Sequence, residues 1–268
     1  MQTLPRVYYH FTKSPYEGQL CPLPVEIMHY LVSVMRCGVS DRIRLFNAQA
    51  GEWEAELVVT DRKKGHVRLI SQARPPVTVE ADPVLAFAPL KREATDLVVR
   101  MGTELGVGRF APVICAHSNT HKVKEERWQV IAREAAEQCE RMDLPTFEPL
   151  QAVEAFLQTW PPNKILAVAV ERMENGPYLE PQSLLVQRIR QGLPIADGVL
   201  IGPEGGFSPG EKKYFFSLPF VVPLSLGPCI LRAETAAVTA LGLLQCWPSV
   251  EAWSKIVREG QDVSRSKF

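Results

Sequence analysis

No apolar run in this 268-residue chain approaches the roughly 20 residues that a membrane-spanning helix requires, and the opening Met1-Gln2-Thr3-Leu4-Pro5-Arg6 holds no apolar signal segment. The expectation is a soluble protein that stays in the cytoplasm, with no membrane partner. Cysteine pairs at C-x-x-C spacing are missing too: Cys21, Cys37, Cys115, Cys139, Cys229 and Cys246 are scattered, so neither a zinc site nor a disulfide framework is indicated. Buried free thiols and no bound metal are expected. Charge of one sign is not in excess, since 30 basic residues balance 30 acidic ones, and this argues against a protein that coats nucleic acid non-specifically. Repeats and low-complexity tracts are also lacking. What is present is an apolar fraction of 46%, enough for a substantial core.

The grammar of the chain changes near residue 75. Before it come short strand-like runs with turn signals, Arg6–Phe11, Arg42–Phe46, Trp53–Val59 and His66–Ile70, with a helix-like stretch from Val25 to Arg36. This pattern predicts a small β-barrel with one helix over residues 1–75. Ten basic and seven acidic residues give this part a net charge of +3 and leave −3 for the remainder, which places an RNA-facing surface here first. Arg74-Pro75-Pro76 reads as a stiff extended connector, because each proline disfavours helix at the residue before it. Over residues 76–268 the apolar runs Val84–Ala88, Pro112–Cys115, Ile165–Val170 and Gly198–Ile201 alternate with helical patterns at 92–105, 123–141, 180–190 and 230–246. Strands buried on both faces and separated by helices predict a mainly parallel α/β sheet.

Two glycine-bearing segments carry most of the chemistry. Gly202-Pro203-Glu204-Gly205-Gly206-Phe207-Ser208 and Leu226-Gly227-Pro228-Cys229-Ile230-Leu231-Arg232-Ala233-Glu234-Thr235-Ala236 each follow an apolar strand-like run and lead into a helical pattern. Backbone without a Cβ can be approached closely by a ligand, so two such turns about twenty residues apart point to one pocket with two walls. The first turn lacks both the Lys-Ser/Thr ending of a P-loop and the G-x-G-x-x-G order of a dinucleotide site. Glu204 would repel a pyrophosphate, which favours a neutral or cationic ligand such as a sulfonium or a nucleoside. Ser208-Pro209-Gly210-Glu211 is a helix-capping signal and accounts for itself without function, but it does not account for Gly202, Gly205 and Gly206 together. In the second segment Arg232 opens an alanine-rich helix at its positive end, an unfavourable place unless an anion lies nearby.

The two segments closely resemble the pattern of the RsmE family of ribosomal RNA methyltransferases, of the SPOUT class. Further matches lie at His29–Arg36, at Thr103-Glu104-Leu105-Gly106-Val107 and at Arg127-Trp128 through Glu134–Gln138, so the resemblance covers most of the chain in the family's order. It implies an N-terminal PUA-like β-barrel that helps hold RNA and a SPOUT-type parallel sheet whose C-terminal chain, about residues 198–246, forms a trefoil knot. It further implies a homodimer that binds S-adenosylmethionine and methylates N3 of one uridine in the 16S rRNA of the small ribosomal subunit. By the same resemblance, Leu200, Ile201, Gly202, Pro203, Glu204, Gly205, Gly206, Leu226, Gly227, Ile230, Leu231 and Thr235 would form the cofactor site. Arg232 would stabilise the uracil anion or hold a phosphate, and Glu234 would accept the proton or orient Arg232, with Glu204 as the alternative acceptor. For RNA contact the candidates are Arg6, His29, Arg36, His117 and Lys122.

Three positions depart from the family pattern: Met101, His117 and Cys229 stand where it usually has lysine, arginine and arginine. The rival expectation is therefore an RNA-binding or ribosome-assembly factor that kept the fold and lost the reaction. A small-molecule enzyme using the same pocket is disfavoured by the appended basic barrel. If Cys229 marks a lost phosphate contact, a Cys229→Arg variant will steepen the dependence of log K on log salt for rRNA binding by roughly 0.7–0.9; an unchanged slope in the salt titration argues against such a contact.

Overall fold

The computed structural model describes residues 4–60, 65–78, 83–170 and 196–244. By contact the chain divides into two units, Met1–Glu80 with Arg133–Leu144, and Ala81–Ala132 with Pro145–Phe268. A single linear boundary at residues 75–76 therefore does not separate all the contacts. Residues 133–144 pack with the first unit because the Ala136 and Glu137 carbonyls accept from Arg6, the Glu137 carboxylate accepts the Tyr8 N–H, and Glu140 pairs with Arg74.

In the first unit the elements are β1 (Arg6–Tyr8), β2 (Leu20–Leu23), α1 (Val25–His29), a π-helical turn (Tyr30–Val34), β3 (Arg42–Asn47), β4 (Gly51–Thr60) and β5 (Gly65–Arg74). They form a curled five-stranded sheet in the order β1-β3-β4-β5-β2, parallel between β1 and β3 and antiparallel elsewhere. Alternation along the strands sends Ile43, Leu45, Ala55, Leu57, Val67 and Leu69 inward, where Met28 and Leu31 of the helical segment meet them. The expected helix stops short of Arg36, which has φ 58°. Strand β2 escapes a pattern reading because Pro22 lies inside it, a residue tolerated here at the edge of the sheet.

In the second unit β6 (Val84–Phe87), α2 (Arg92–Glu104), β7 (Arg109–Ile114), the start of α3 (Glu125–Gln138), β8 (Thr146–Phe147), β9 (Gln151–Ala152), α4 (Val153–Thr159), β10 (Leu166–Ala169), β11 (Gly198–Ile201), α5 (Pro209–Phe215), β12 (Val221–Leu224) and α6 (233–244) follow one another. Strands run parallel in the order β12-β10-β11-β6-β7-β8, and β9 adds to β7. The pleat splits the core in two. Leu85, Phe87, Ala167, Val199, Ile201, Val222 and Leu224 face α2, α3 and α6, whereas Val84, Ala86, Leu166, Val168, Leu200 and Val221 face α4 and α5. This is the expected parallel α/β sheet, buried on both faces. The helix expected at 180–190 lies outside the described residues.

One buried charge ties the first unit together. Glu52, fully buried, accepts Arg6 Nε and Nη2 at 3.2 and 3.3 Å, Arg44 Nη1 at 3.2 Å and Arg74 Nε at 2.5 Å. Three guanidinium groups cannot all be satisfied by one carboxylate, and Arg44 Nε is left buried without a partner. Burial alone would raise the Glu52 pKa, but the hydrogen bonds and charges of Arg6 and Arg74 outweigh it and hold the carboxyl below its ordinary range. A carboxyl with a depressed folded pKa stabilises the fold fully above its unfolded pKa, and that contribution disappears as pH falls through the folded value. Glu52→Gln should therefore cost about 3–5 kcal/mol at neutral pH, the range for removing one partner of a buried ion pair. Its stability should also fall less than the wild type's on acidification below about pH 4.5. Urea unfolding at several pH values checks both; a constant difference between the two proteins down to pH 3 refutes the linkage.

Candidate active site

Strand order reverses at β10, which has β11 on one side and β12 on the other although both follow it in the chain. In parallel sheets such a reversal opens a crevice beyond the carboxyl ends of the strands, because the connections leave in opposite directions. A cavity of about 730 Å³ lies there, within the range of small-molecule sites. Its walls come from Ala169 and Val170 at the end of β10, Ile201–Glu204, Gly206 and Phe207 at the end of β11 and beyond it, Leu226, Gly227 and Cys229–Glu234 after β12, and the first turns of α2. The two glycine segments are thus opposite walls of one cavity, as their spacing implied.

The first wall is clamped at both ends. Ser208 caps α5 in a reciprocal box: its Oγ accepts from the Glu211 N–H at 3.2 Å, while its own N–H donates to Glu211 Oε2 at 2.8 Å. The other oxygen of that buried carboxylate accepts the Ala116 N–H at 2.7 Å, which ties the turn after β7 to the glycine loop. His117 in that turn places Nδ1 3.0 and 3.1 Å from the Gly205 and Gly206 carbonyl oxygens. Close packing explains two of the glycines: a Cβ at Gly202 would lie 3.0 Å from the Phe207 ring, and one at Gly205 3.0 Å from His117 Cβ. Gly206, at φ 67°, takes the left-handed conformation that a side chain resists. The glycine cluster therefore has a reason within the protein as well as toward a ligand.

The second wall is more open. Arg232 is exposed and precedes the first residue of α6, where its carbonyl accepts the Ala236 N–H at 2.8 Å; solvent exposure screens its charge from the positive end of the helix. Glu234, half-buried in the first turn, suits that dipole, and both side chains line the cavity with Glu204. Three expected cofactor residues are placed elsewhere. Leu200 points into the α4–α5 face because it alternates with Ile201, Gly205 is turned against His117, and Thr235 is exposed outside the cavity lining. Arg6, expected to hold RNA, is spent: its side chain is 7% exposed, binds Glu52 and two carbonyls, and lies 4.1 Å from the Phe46 ring centroid. His29, Arg36 and Lys122 are exposed.

Lys91, Glu93, Ala94 and Leu97 of the α2 start, and Lys212 of α5, line the cavity without having been singled out in the sequence. The signal available for the α2 residues was their position just after β6, whose carboxyl end adjoins that of β11. Among the described residues no group of three or more His, Cys, Asp or Glu could hold a metal ion, and no helix is long and apolar enough to cross a membrane. The thiols differ sharply. Cys21 and Cys115 are buried as expected, whereas Cys139 and Cys229 are exposed, against the expectation of burial; Cys246 lies outside the described residues. Burial, with the charges of Glu211 and Glu154 added, pushes the Cys115 thiol up to about 12. An alkylating reagent at neutral pH should thus modify Cys139 and Cys229 in the folded protein and leave Cys115 untouched until unfolding. Peptide mass spectrometry reads this directly, and equal labelling of Cys115 would contradict the buried-thiol assignment.

Comparison with known proteins adds a family to this geometry. A family model described as an RNA methyltransferase domain matches residues 79–245, and one described as an RNA methyltransferase PUA domain matches residues 23–70. Ribosomal RNA small subunit methyltransferase E of Rickettsia conorii is 34% identical over 215 residues, 80% of this chain and 84% of the relative. Its namesake in Bacillus subtilis is 28% identical over 246 residues, 89% of this chain and 95% of the relative. Among solved structures, a putative methyltransferase of Legionella pneumophila in complex with SAM superposes with a TM-score of 0.72 at 28% identity, covering 91% of this chain and 98% of that one. Ribosomal RNA small subunit methyltransferase E of Neisseria gonorrhoeae bound to S-adenosyl methionine gives 0.72 at 25%, covering 91% and 97%. With both matched regions and the 34% identity in agreement, the chain belongs to the ribosomal RNA small subunit methyltransferase E family, which its sequence motifs resemble.

Proposed function

We propose that this protein is a cytoplasmic homodimer that transfers the methyl group of S-adenosylmethionine to N3 of a specific uridine in the 16S rRNA of the small ribosomal subunit. The observation that carries the reading is the cavity at the reversal of strand order, walled by both glycine segments and lined by Glu204, Arg232 and Glu234. A trefoil passage of about residues 198–246 belongs to the same proposal, supported by β11 and β12 lying on opposite sides of β10.

The residues present suit the cofactor. Ile201, Leu226, Leu231 and Ala236 offer apolar surface for an adenosine, Glu204 and Glu234 offer negative charge to a sulfonium or ammonium, and Lys91 and Arg232 offer positive charge to a carboxylate. Bound there, S-adenosylmethionine supplies an electrophilic methyl group. The chain's own residues have the remaining work. Uracil N3 carries a weakly acidic proton on the Watson–Crick edge, so the base must be presented unpaired and the charge left by proton loss must be stabilised. Arg232, exposed at the mouth of the second wall, is the group for that charge. Glu234, two residues further on, accepts the proton or holds Arg232 in place, and Glu204 on the facing wall is the alternative acceptor.

Transfer of label from radioactive S-adenosylmethionine to small subunits that lack the modification, followed by nucleoside analysis, tests the reading. The expected product is N3-methyluridine, and Arg232→Ala should lower kcat about 10²-fold, the typical cost of one charge-stabilising donor. No methyl transfer to assembled subunits would overturn the enzymatic reading in favour of an RNA-binding factor that kept the fold. An undiminished rate for Arg232→Ala would remove that residue from the mechanism.

A further inference from the structure

His117 stands where the family pattern has arginine, and its surroundings assign it a task. Both atoms within reach of its Nδ1, the Gly205 and Gly206 carbonyl oxygens at 3.0 and 3.1 Å, are acceptors only. Nδ1 must therefore carry the proton and donate. The backbone beneath His117 is anchored: Cys115 N–H donates to Ser118 Oγ at 2.9 Å, Ser118 N–H to the Cys115 carbonyl at 3.0 Å, and Ala116 N–H to buried Glu211 at 2.7 Å. A fixed turn thus holds the middle of a loop whose ends are fixed by β11 and by capped α5. Without that hold, adjacent Gly205 and Gly206 have no side chain to limit their backbone.

We propose that His117 is a positioning residue for cofactor binding: its Nδ1–H holds the glycine loop in the shape that takes S-adenosylmethionine, a role that rests on the cofactor reading above. A loop that leaves this shape part of the time lowers apparent affinity by the fraction of molecules still competent. The net strength of one hydrogen bond sets the size of the effect, about five- to tenfold.

Calorimetric titration of the RNA-free full-length protein with S-adenosylmethionine tests this. His117→Ala should weaken binding five- to tenfold, and the kinetic loss should appear in KM for S-adenosylmethionine rather than in kcat. His117→Asn should restore wild-type affinity to within about twofold, since its amide nitrogen occupies the position of Nδ1 relative to Cβ, whereas His117→Gln, with its amide one bond further out, should not. If His117→Ala fails to fold, the Asn and Gln variants carry the comparison, and equal affinity in those two overturns the proposal. It is overturned as well if His117→Ala binds S-adenosylmethionine like the wild type while losing rRNA affinity, the mark of an RNA contact. A wild-type protein that binds no S-adenosylmethionine brings down the cofactor reading itself, an outcome distinct from a His117→Ala variant indistinguishable from a binding wild type.

Discussion

The carboxylate of Glu211 is the constraint on which the arrangement of the cavity depends. It is buried, so its charge must be met by donors, and the donors it finds belong to two segments far apart in sequence: Ser208 at the start of its own helix and Ala116 after β7. One side chain thereby fixes where α5 begins, where the loop before it ends, and which turn lies against that loop. Phe207, directly before the cap, packs edge-on against Phe215 one helix length later, and its ring fills the space that a side chain at Gly202 would need. The first wall is therefore set by a buried charge and an aromatic contact. The second has no comparable clamp and is more exposed, which leaves room for the groups assigned to the reacting base.

The sheet supplies the other half of the geometry. Because β10 lies between β11 and β12, two connections that are consecutive in the chain open toward the same space from opposite sides. The pleat then decides which residues participate: Ile201 ends its strand facing the cavity side while Leu200 is committed to the other core.

Much of this was legible in the sequence. Four-residue apolar runs such as Val84–Phe87 and Gly198–Ile201 announce strands buried on both faces, and Ser208-Pro209-Gly210-Glu211 announces a capped helix, which the structure contains. The same apolar runs hide their facing, because a strand covered on both sides has no alternation to read; hence Leu200 was grouped with Ile201. Two-residue strands such as β8 and β9 leave no pattern at all, since their existence depends on β7 offering an edge. Arg6 looked free because its partner is 46 positions away. Nor could sequence spacing bring Lys91 and Glu93 to the second wall's cavity, since only strand order does that. The first glycine loop was found for a reason that proved incomplete: Phe207 and His117 leave little room for a side chain at Gly202 and Gly205, in addition to whatever ligand approaches them.

The return of residues 133–144 to the first unit bears on how the protein is made. Arg6 and Tyr8 on β1 take their helix partners at Ala136 and Glu137, so the contacts of that strand are complete only after well over a hundred further residues have been joined. Chain growth at roughly 5–20 residues per second leaves that edge of the sheet waiting for seconds, through the synthesis of β6, α2 and β7. The N-terminal unit is first to leave the ribosome but is not finished until residues 133–144 follow, the end of a helix that begins among residues of the other unit.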